Sequence, residues 1–355
     1  NKSYSMTKDT KKIEDPLNEL TLPNFSRLGI NHHSPTSASM PSGIYLFRYV
    51  FCTQEERRLF KGNTGSNMAA GVAVNNALQN YYSDTIYKFH PLTKKLAPVK
   101  HEKVSKESAI QDALEKFKEY EPVDDKDREK YEHYIETIPS TITQGFLALD
   151  SVNTAKGKNI TAEASINHID KRLSLPIVGR TDCHYLTDFH NLDLNEKEQS
   201  SSDGAAPVAP FLSVQEWKTS WSKAMKIKKD GSRSFSKARL PSIPNRIHLQ
   251  QLAFYCESLK PKNPMLIYIA ENGFQIFNKN NCADLEPQNL KNYYEQLVQV
   301  CIRRERLLSR YSHLNDIDRI KEELIKDVDP EFDHNFYWNI GYEFLTKAKK
   351  IWSFT

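Results

Sequence analysis

Phe211-Leu212-Ser213-Val214-Gln215-Glu216-Trp217-Lys218-Thr219-Ser220 is an apolar, β-prone run that ends with a carboxylate and an ammonium two residues apart. On a strand, side chains at i and i+2 leave the same face, with Cα atoms about 6.5 Å apart. Glu216 and Lys218 are therefore expected to point the same way. An acid and a base side by side at a strand end suit metal-dependent phosphodiester chemistry. The carboxylate holds a divalent cation, and the lysine steadies an attacking water or the charge that builds on phosphate. An exposed Glu–Lys pair on an ordinary strand has the same spacing, so the neighbours decide.

Upstream, Val178-Gly179-Arg180-Thr181-Asp182-Cys183 also reads as a strand, which sets Asp182 beside Glu216 in a hairpin. Two carboxylates brought together repel, and burial makes that worse. A hard divalent ion with oxygen ligands, Mg²⁺ or Mn²⁺, is their natural partner. The Trp217 backbone carbonyl, between Glu216 and Lys218, offers a further oxygen. Asp182 and Glu216 are separated by 33 residues, and the Ser-, Asp-, Glu- and Ala-Pro-rich tract 191–210 reads as a solvated loop that closes at small entropic cost.

Downstream, 222–246 carries eight basic residues (Lys223, Lys226, Lys228, Lys229, Arg233, Lys237, Arg239, Arg246) against one acid, Asp230. This is either a solvated loop or, with Trp221 and Phe235 interleaved, a lid that stacks on a single strand. The helix expected over 247–259 sets Gln251 and Tyr255 one turn apart on one face, either at the site or as ordinary helix-face residues. Glu163 faces the cleft or water. His168, His184 and Cys183 read as structural.

The chain has 355 residues, 39% hydrophobic and 26% charged, with a net charge of +4. That is the composition of a globular protein whose attraction to nucleic acid must come from local clustering. No apolar run approaches the ~20 residues that span a bilayer, so no membrane partner is expected. Cys52, Cys183, Cys256, Cys282 and Cys301 are scattered without a Cys-x-x-Cys pair, so neither a zinc ribbon nor an iron–sulfur cluster is expected. Residues 1–40, rich in Ser, Thr, Asn, Lys and Pro, read as a disordered arm. Residues 43–52 read as a strand or a helix start. Helices are expected over 68–82, 103–120 and 127–149, with breaks at Pro122 and Pro139. Strands follow over 159–169, 177–188 and 211–220, then the helix 247–259, a buried strand 264–270 paired with 274–277, and helices over 286–311 and around 340–351. One α/β core with helical additions fits this order.

Gly179-x-x-Asp182, then Glu216-x-Lys218, then Gln251-x-x-x-Tyr255, in α-β-β-β-α-β order, resembles the RecB-type branch of the PD-(D/E)xK nucleases. Within it, the chain looks most like the mitochondrial genome maintenance exonucleases and their phage and bacterial relatives. Their Trp-Lys-Thr-Ser signature is matched by Trp217-Lys218-Thr219-Ser220, and the resemblance runs from about 68 to 270. It implies a mixed central sheet flanked by helices, Asp182 and Glu216 as ligands of Mg²⁺ or Mn²⁺, and Lys218 as the catalytic lysine. It further implies that Gln251 and Tyr255 position the DNA strand or the lysine, with Thr219, Ser220 and the basic tract (Lys223, Lys226, Lys228, Lys229, Arg233) on DNA. The first-helix pattern Gly-x-x-x-His-x-x-Leu-Glu is met by Gly71, Asn75, Leu78 and Gln79, so His becomes Asn and Glu becomes Gln. An Asn75 carbonyl oxygen can still bind Mg²⁺ or hold its water.

The expectation is one nuclease domain over 41–355 (core 68–278, basic insertion 222–246, C-terminal helices 286–352) acting as a monomer on single-stranded DNA or flaps. It would be a metal-dependent exonuclease in DNA replication, repair or maintenance. A mitochondrial location follows from the resemblance and the absent initiator Met, with a bacterial or phage cytoplasm as the alternative. The rivals are a catalytically weak single-strand-binding module and a structure-specific endonuclease of the same fold.

Overall fold

The computed structural model describes residues 25–60, 65–91, 93, 95–187, 210–227, 233–333 and 336–353. The helices are α1 (Pro35–Ala38), α2 (Ser42–Leu46), α3 (Gln54–Arg58), α4 (Ser66–Tyr82), α5 (Lys106–Lys118), α6 (Asp125–Ser151), α7 (Arg246–Leu259), α8 (Pro287–Ser309), α9 (Ile317–Lys326) and α10 (Tyr342–Trp352). The strands are β1 (Thr85–Phe89), β2 (Leu96–Lys100), β3 (Lys158–Ala162), β4 (Ala164–His168), β5 (Ile177–Thr181), β6 (Cys183–Thr187), β7 (Phe211–Thr219), β8 (Ala224–Ile227), β9 (Arg233–Phe235), β10 (Asn263–Ala270) and β11 (Gly273–Phe277). Seven strands form a mixed sheet in the order β11-β10-β7-β6-β3-β1-β2, and β4–β5 and β8–β9 are separate two-stranded ribbons. The β7–β10 and β1–β3 pairs are parallel.

Helices cover both faces. Along β10, Met265, Ile267 and Ile269 pack with α4, α5 and α6, while Leu266 and Tyr268 pack with α7 and α8. Strand alternation assigns the faces, and burial on both sides explains why β10 reads as an unbroken apolar run. The same alternation in β7 sends Trp217 toward α4 and α6 and Val214 toward α7. Among the described residues no helix is long and apolar enough to cross a membrane.

Several expectations change. Residues 25–40, read as part of a disordered arm, are folded; residues 1–24 lie outside the described residues. Phe25, Leu28, Ile30 and Met40 are buried in a third core with α8, α9 and the C-terminal segment. His33 is held by Pro176 and Val178 through 2.8 Å main-chain bonds. Residues 43–51 are helical, with α2 running into a π-helical turn at Phe47–Phe51 and Cys52 extended.

Pro139 does not break α6, which runs for 27 residues. A proline removes one N–H and one intrahelical bond. Here the stripe Tyr134, Ile138, Ile142, Phe146 and Leu149 is buried on both sides of it, and packing outweighs that loss. Strands β1 and β2 carried too little apolar periodicity to be anticipated; pairing, not pattern, holds them.

The two strands expected over 159–169 and 177–188 are each bent in the middle, at Glu163 and Asp182. Below the bend, β3 pairs with β6 in the main sheet; above it, β4 pairs with β5 outside the sheet. The register carries across: Thr161 lies opposite His184 and Ala164 opposite Thr181, so Glu163 and Asp182 are opposed at the bend.

Candidate active site

Asp182 sits at the bend rather than within a strand. The antiparallel β6–β7 ladder ends at Cys183–Gln215, and one residue beyond it the Asp182 carboxylate (Oδ2) accepts the Trp217 N–H at 2.6 Å. A strand residue presents its N–H and C=O to the same side, so the Trp217 carbonyl belongs to the same edge. Glu216 and Lys218 share the face toward α7, as their spacing predicts. Lys218 Nζ donates to Glu216 Oε1 in a close ion pair and to Gln251 Oε1 at 3.3 Å. Gln251 Nε2 donates to the Tyr255 hydroxyl at 2.8 Å, and that hydroxyl donates to the Arg180 carbonyl. Gln251 and Tyr255 thus seat the lysine. Tyr255 gets close enough because β5 crosses α7 at Gly179, where an added Cβ would lie 2.7 Å from Phe254 and 3.3 Å from Tyr255.

Glu216 is 1% exposed, and its Oε2 has no donor among the described residues. Burial, joined by the charge of Asp182, pushes its carboxyl up to about 8. Burial also pushes Asp182 up to about 6; Lys218 and the Trp217 N–H work against that, and Glu163 works with it. Burial disfavours the Lys218 charge, but Glu216 and Asp182 outweigh it and hold the ammonium above its ordinary value. Two adjacent acids that resist ionising together share a proton where a cation would fit.

The donor set suits a hard divalent ion. It offers oxygens only: Asp182, Glu216 with its unpartnered Oε2, the Trp217 carbonyl, and Asn75 from α4, whose buried Oδ1 is likewise without a donor. No group of three His, Cys, Asp or Glu side chains spaced for a metal occurs among the described residues. A cation here would therefore rest on two carboxylates completed by neutral oxygens and water.

Of this set, Asn75 and Trp217 line a cleft of about 920 Å³, together with Glu163, Lys218, Thr219, Ser220 and His248 among others. α4 lies directly over Thr219, where a Cβ at Gly71 would come within 3.1 Å of its Oγ1. Ser220 is fixed by its N–H to the Ile269 carbonyl at 2.8 Å.

The basic tract is placed in part. Lys223 is exposed, and Lys226 and Arg233 fall on β8 and β9; Lys228 and Lys229 lie outside the described residues. Its aromatic residues pack against α6. Trp221 packs on Tyr134 with ring centres 4.7 Å apart, and Phe235 stacks on His133 at 3.9 Å and 4°. Both rings rest on α6 and stay half-buried, and Trp221 also lines the cleft.

Two residues of the cleft lining had no role assigned to them. Glu163, with a left-handed φ of 55°, accepts from Gln79 Nε2 at 2.9 Å and lies 3.8 Å from Arg180. Counting a hairpin register outward from His168–Ile177 would have set it opposite Asp182. His248, one turn before Gln251, shares a 2.8 Å hydrogen bond with the Tyr268 hydroxyl; burial, then the Lys218 charge, lowers it to about 4. His168 and His184 are structural, packing on Phe254 and Tyr294 and bonding Thr181 respectively.

No family model matches the chain, and no curated protein matches it. A solved structure titled "Crystal structure of SSO0001" aligns with 55% of this chain and 85% of its own, at 17% identity and a TM-score of 0.24. Likeness at that level carries no argument. What stands is a mixed α/β molecule, a seven-stranded sheet flanked by helices, with an acid–acid–lysine cluster at the bend of the sheet.

Proposed function

We propose that the chain is a divalent-metal-dependent deoxyribonuclease that digests single-stranded DNA or flaps from an end. The observation that carries the reading is the Asp182–Glu216 pair, held partly protonated by burial with an unpartnered carboxylate oxygen, beside a seated lysine. Asp182, Glu216, the Trp217 carbonyl and Asn75 would hold Mg²⁺ or Mn²⁺. A cation there supplies Lewis acidity toward the phosphodiester and an attacking water.

The chain's own groups do the rest. With Glu216 neutralised, Lys218 Nζ is released from its ion pair yet kept in place by Gln251, so it can donate to phosphate or orient water. Tyr255 and the Arg180 carbonyl fix Gln251 in the acceptor orientation that this requires. Thr219 and Ser220 extend the cleft wall along the strand's path, and exposed Lys223, three residues on, adds positive charge close by. Single-strand preference, exonucleolytic action and a place in mitochondrial DNA maintenance come from the resemblance in sequence.

A second reading, a weak or inactive single-strand binder, is favoured by the first helix. Asn75 offers a neutral oxygen, and Gln79 is turned to Glu163. The test is digestion of end-labelled linear single-stranded DNA with Mg²⁺, Mn²⁺ or EDTA by wild type, Asp182→Ala and Lys218→Ala. Metal-dependent shortening, lost in both variants while DNA binding stays within a few-fold, supports the nuclease. Tight binding without shortening in wild type supports the binder, and nicking of circular single strands would indicate an endonuclease.

A further inference from the structure

At the end of β10 opposite the cleft, the last turn of α7 and the first turn of α8 enclose a second hollow of about 500 Å³. Lys218 lies level with Tyr268, but Pro264, on the hollow, lies level with Val214, four residues earlier on β7. The walls are apolar: Pro261, Pro264, Leu285, Pro287 and Leu290. The Tyr294 ring also lines it, and its hydroxyl is already given to Asp170 at 2.9 Å. Cys256 is there too, its thiol pushed up to about 12 by burial; it is a wall, not a nucleophile.

The rim is basic. Lys260, Lys262, Lys279 and Lys291 line it, and the one carboxylate in the lining, Glu257, is paired to Lys260 at 2.6 Å. Lys262, Lys279 and Lys291 are exposed and make no ion pair among the described residues. They come from three separate segments: the turn before β10, the chain after β11, and α8. α8 also opens here with Pro287 at its first turn and no side-chain cap, which adds the positive end of a helix dipole.

We propose that this hollow docks a short acidic peptide segment with a bulky apolar side chain, the side chain in the hollow and the carboxylates on the three lysines. An apolar floor ringed by charge matches an anchor flanked by acids. Three separated ammonium groups match several carboxylates better than the single headgroup of a fatty acid. A nucleic-acid strand would meet the lysines and leave the apolar hollow unfilled. The site stands apart from the Asp182–Glu216–Lys218 cluster, and nothing in the argument needs the nuclease reading.

The probe is a fluorescein-labelled hexapeptide, Glu-Asp-Glu-Asp-Leu-Phe, titrated with the full chain by fluorescence anisotropy. Saturable binding is expected, unchanged in Asp182→Ala. Replacing the peptide's Phe by Ser, or combining Lys262→Glu with Lys279→Glu in the protein, should each weaken it roughly tenfold. Cys256→Trp, which fills the hollow, should remove binding while thermal melts report the fold. Because both lysines are exposed, the double variant carries the test if the filled variant does not fold. Absence of saturation to about 1 mM, equal binding of the Phe and Ser peptides, or an unaffected lysine variant would overturn the proposal. So would displacement of the peptide by decanoate or oligo-dT at matching affinity, which would assign the site to that ligand.

Discussion

Glu216 has an ordinary carboxyl value of 4.5 and is raised by burial to about 8 in the folded chain. Between those values the folded protein keeps a proton that the unfolded chain has released, so raising the pH favours unfolding. Asp182, raised from 3.8 to about 6 for the same reason, adds its share at the lower end. The metal-free protein should therefore lose stability as pH climbs from about 5 to 8, and Glu216→Gln should flatten that fall. Each pKa unit is worth about 1.4 kcal/mol, and because the two carboxyls titrate as a coupled pair the wild-type-minus-variant difference is expected on the order of 2 kcal/mol. Thermal melts in EDTA across this range measure it; identical slopes would mean that neither carboxyl is held neutral by the fold. At pH 8, added Mn²⁺ should raise the wild-type Tm and leave Asp182→Ala unmoved, by preferential binding to the folded state.

Among the elements, β5 and α7 form the joint that seats the lysine. Gly179 permits it, since a Cβ there would overlap the Phe254 ring and press on Tyr255. Gly179→Ala should cost about 1–3 kcal/mol by overpacking and should lower DNA cleavage further than the lost stability explains, because Tyr255 holds Gln251 and Gln251 holds Lys218. Melting curves and digestion well below Tm separate the two effects; full activity in a destabilised variant would mean that the Tyr255 ring does not position the lysine. The elements of this joint were readable from residue spacing. α7 shows its face at Gln251 and Tyr255, and β7 shows its alternation, because both periods are properties of one segment. The course of α6 through Pro139 was not readable, since the contacts that outweigh the proline come from α4 and β10.

Across the whole molecule, one buried carboxylate ties three distant segments. Glu305 on α8 accepts from the His33 ring at 3.0 Å and from the main-chain N–H groups of Ser174 at 2.9 Å and Leu175 at 3.0 Å. Despite burial, these bonds hold its carboxyl below the ordinary value. Nearby, buried Arg304 donates to the Ser37 and Met40 carbonyls and lies 3.7 Å from the Tyr45 ring centre. Glu305→Ala strands two main-chain donors and a buried imidazole, a loss of about 2–4 kcal/mol. Limited trypsin digestion should cut at Arg27 sooner in that variant, with cleft chemistry unchanged where the protein remains folded. Equal cutting rates would show that the 25–40 segment is held by its apolar contacts alone.

The residues of the sequence by themselves determined an α/β molecule, a strand that presents Glu216 and Lys218 on one face, and a helix that presents Gln251 and Tyr255 on another. Those are local periodicities, and a strand or helix fixes them wherever it lies. Tertiary structure alone decided that Asp182 reaches Glu216 from a bend rather than from a paired strand, and that Glu163 stands opposite it. It also decided that Trp221 and Phe235 rest on Tyr134 and His133 of α6. Each of these depends on which segments meet across a long loop, and a meeting of that kind leaves no period in the chain.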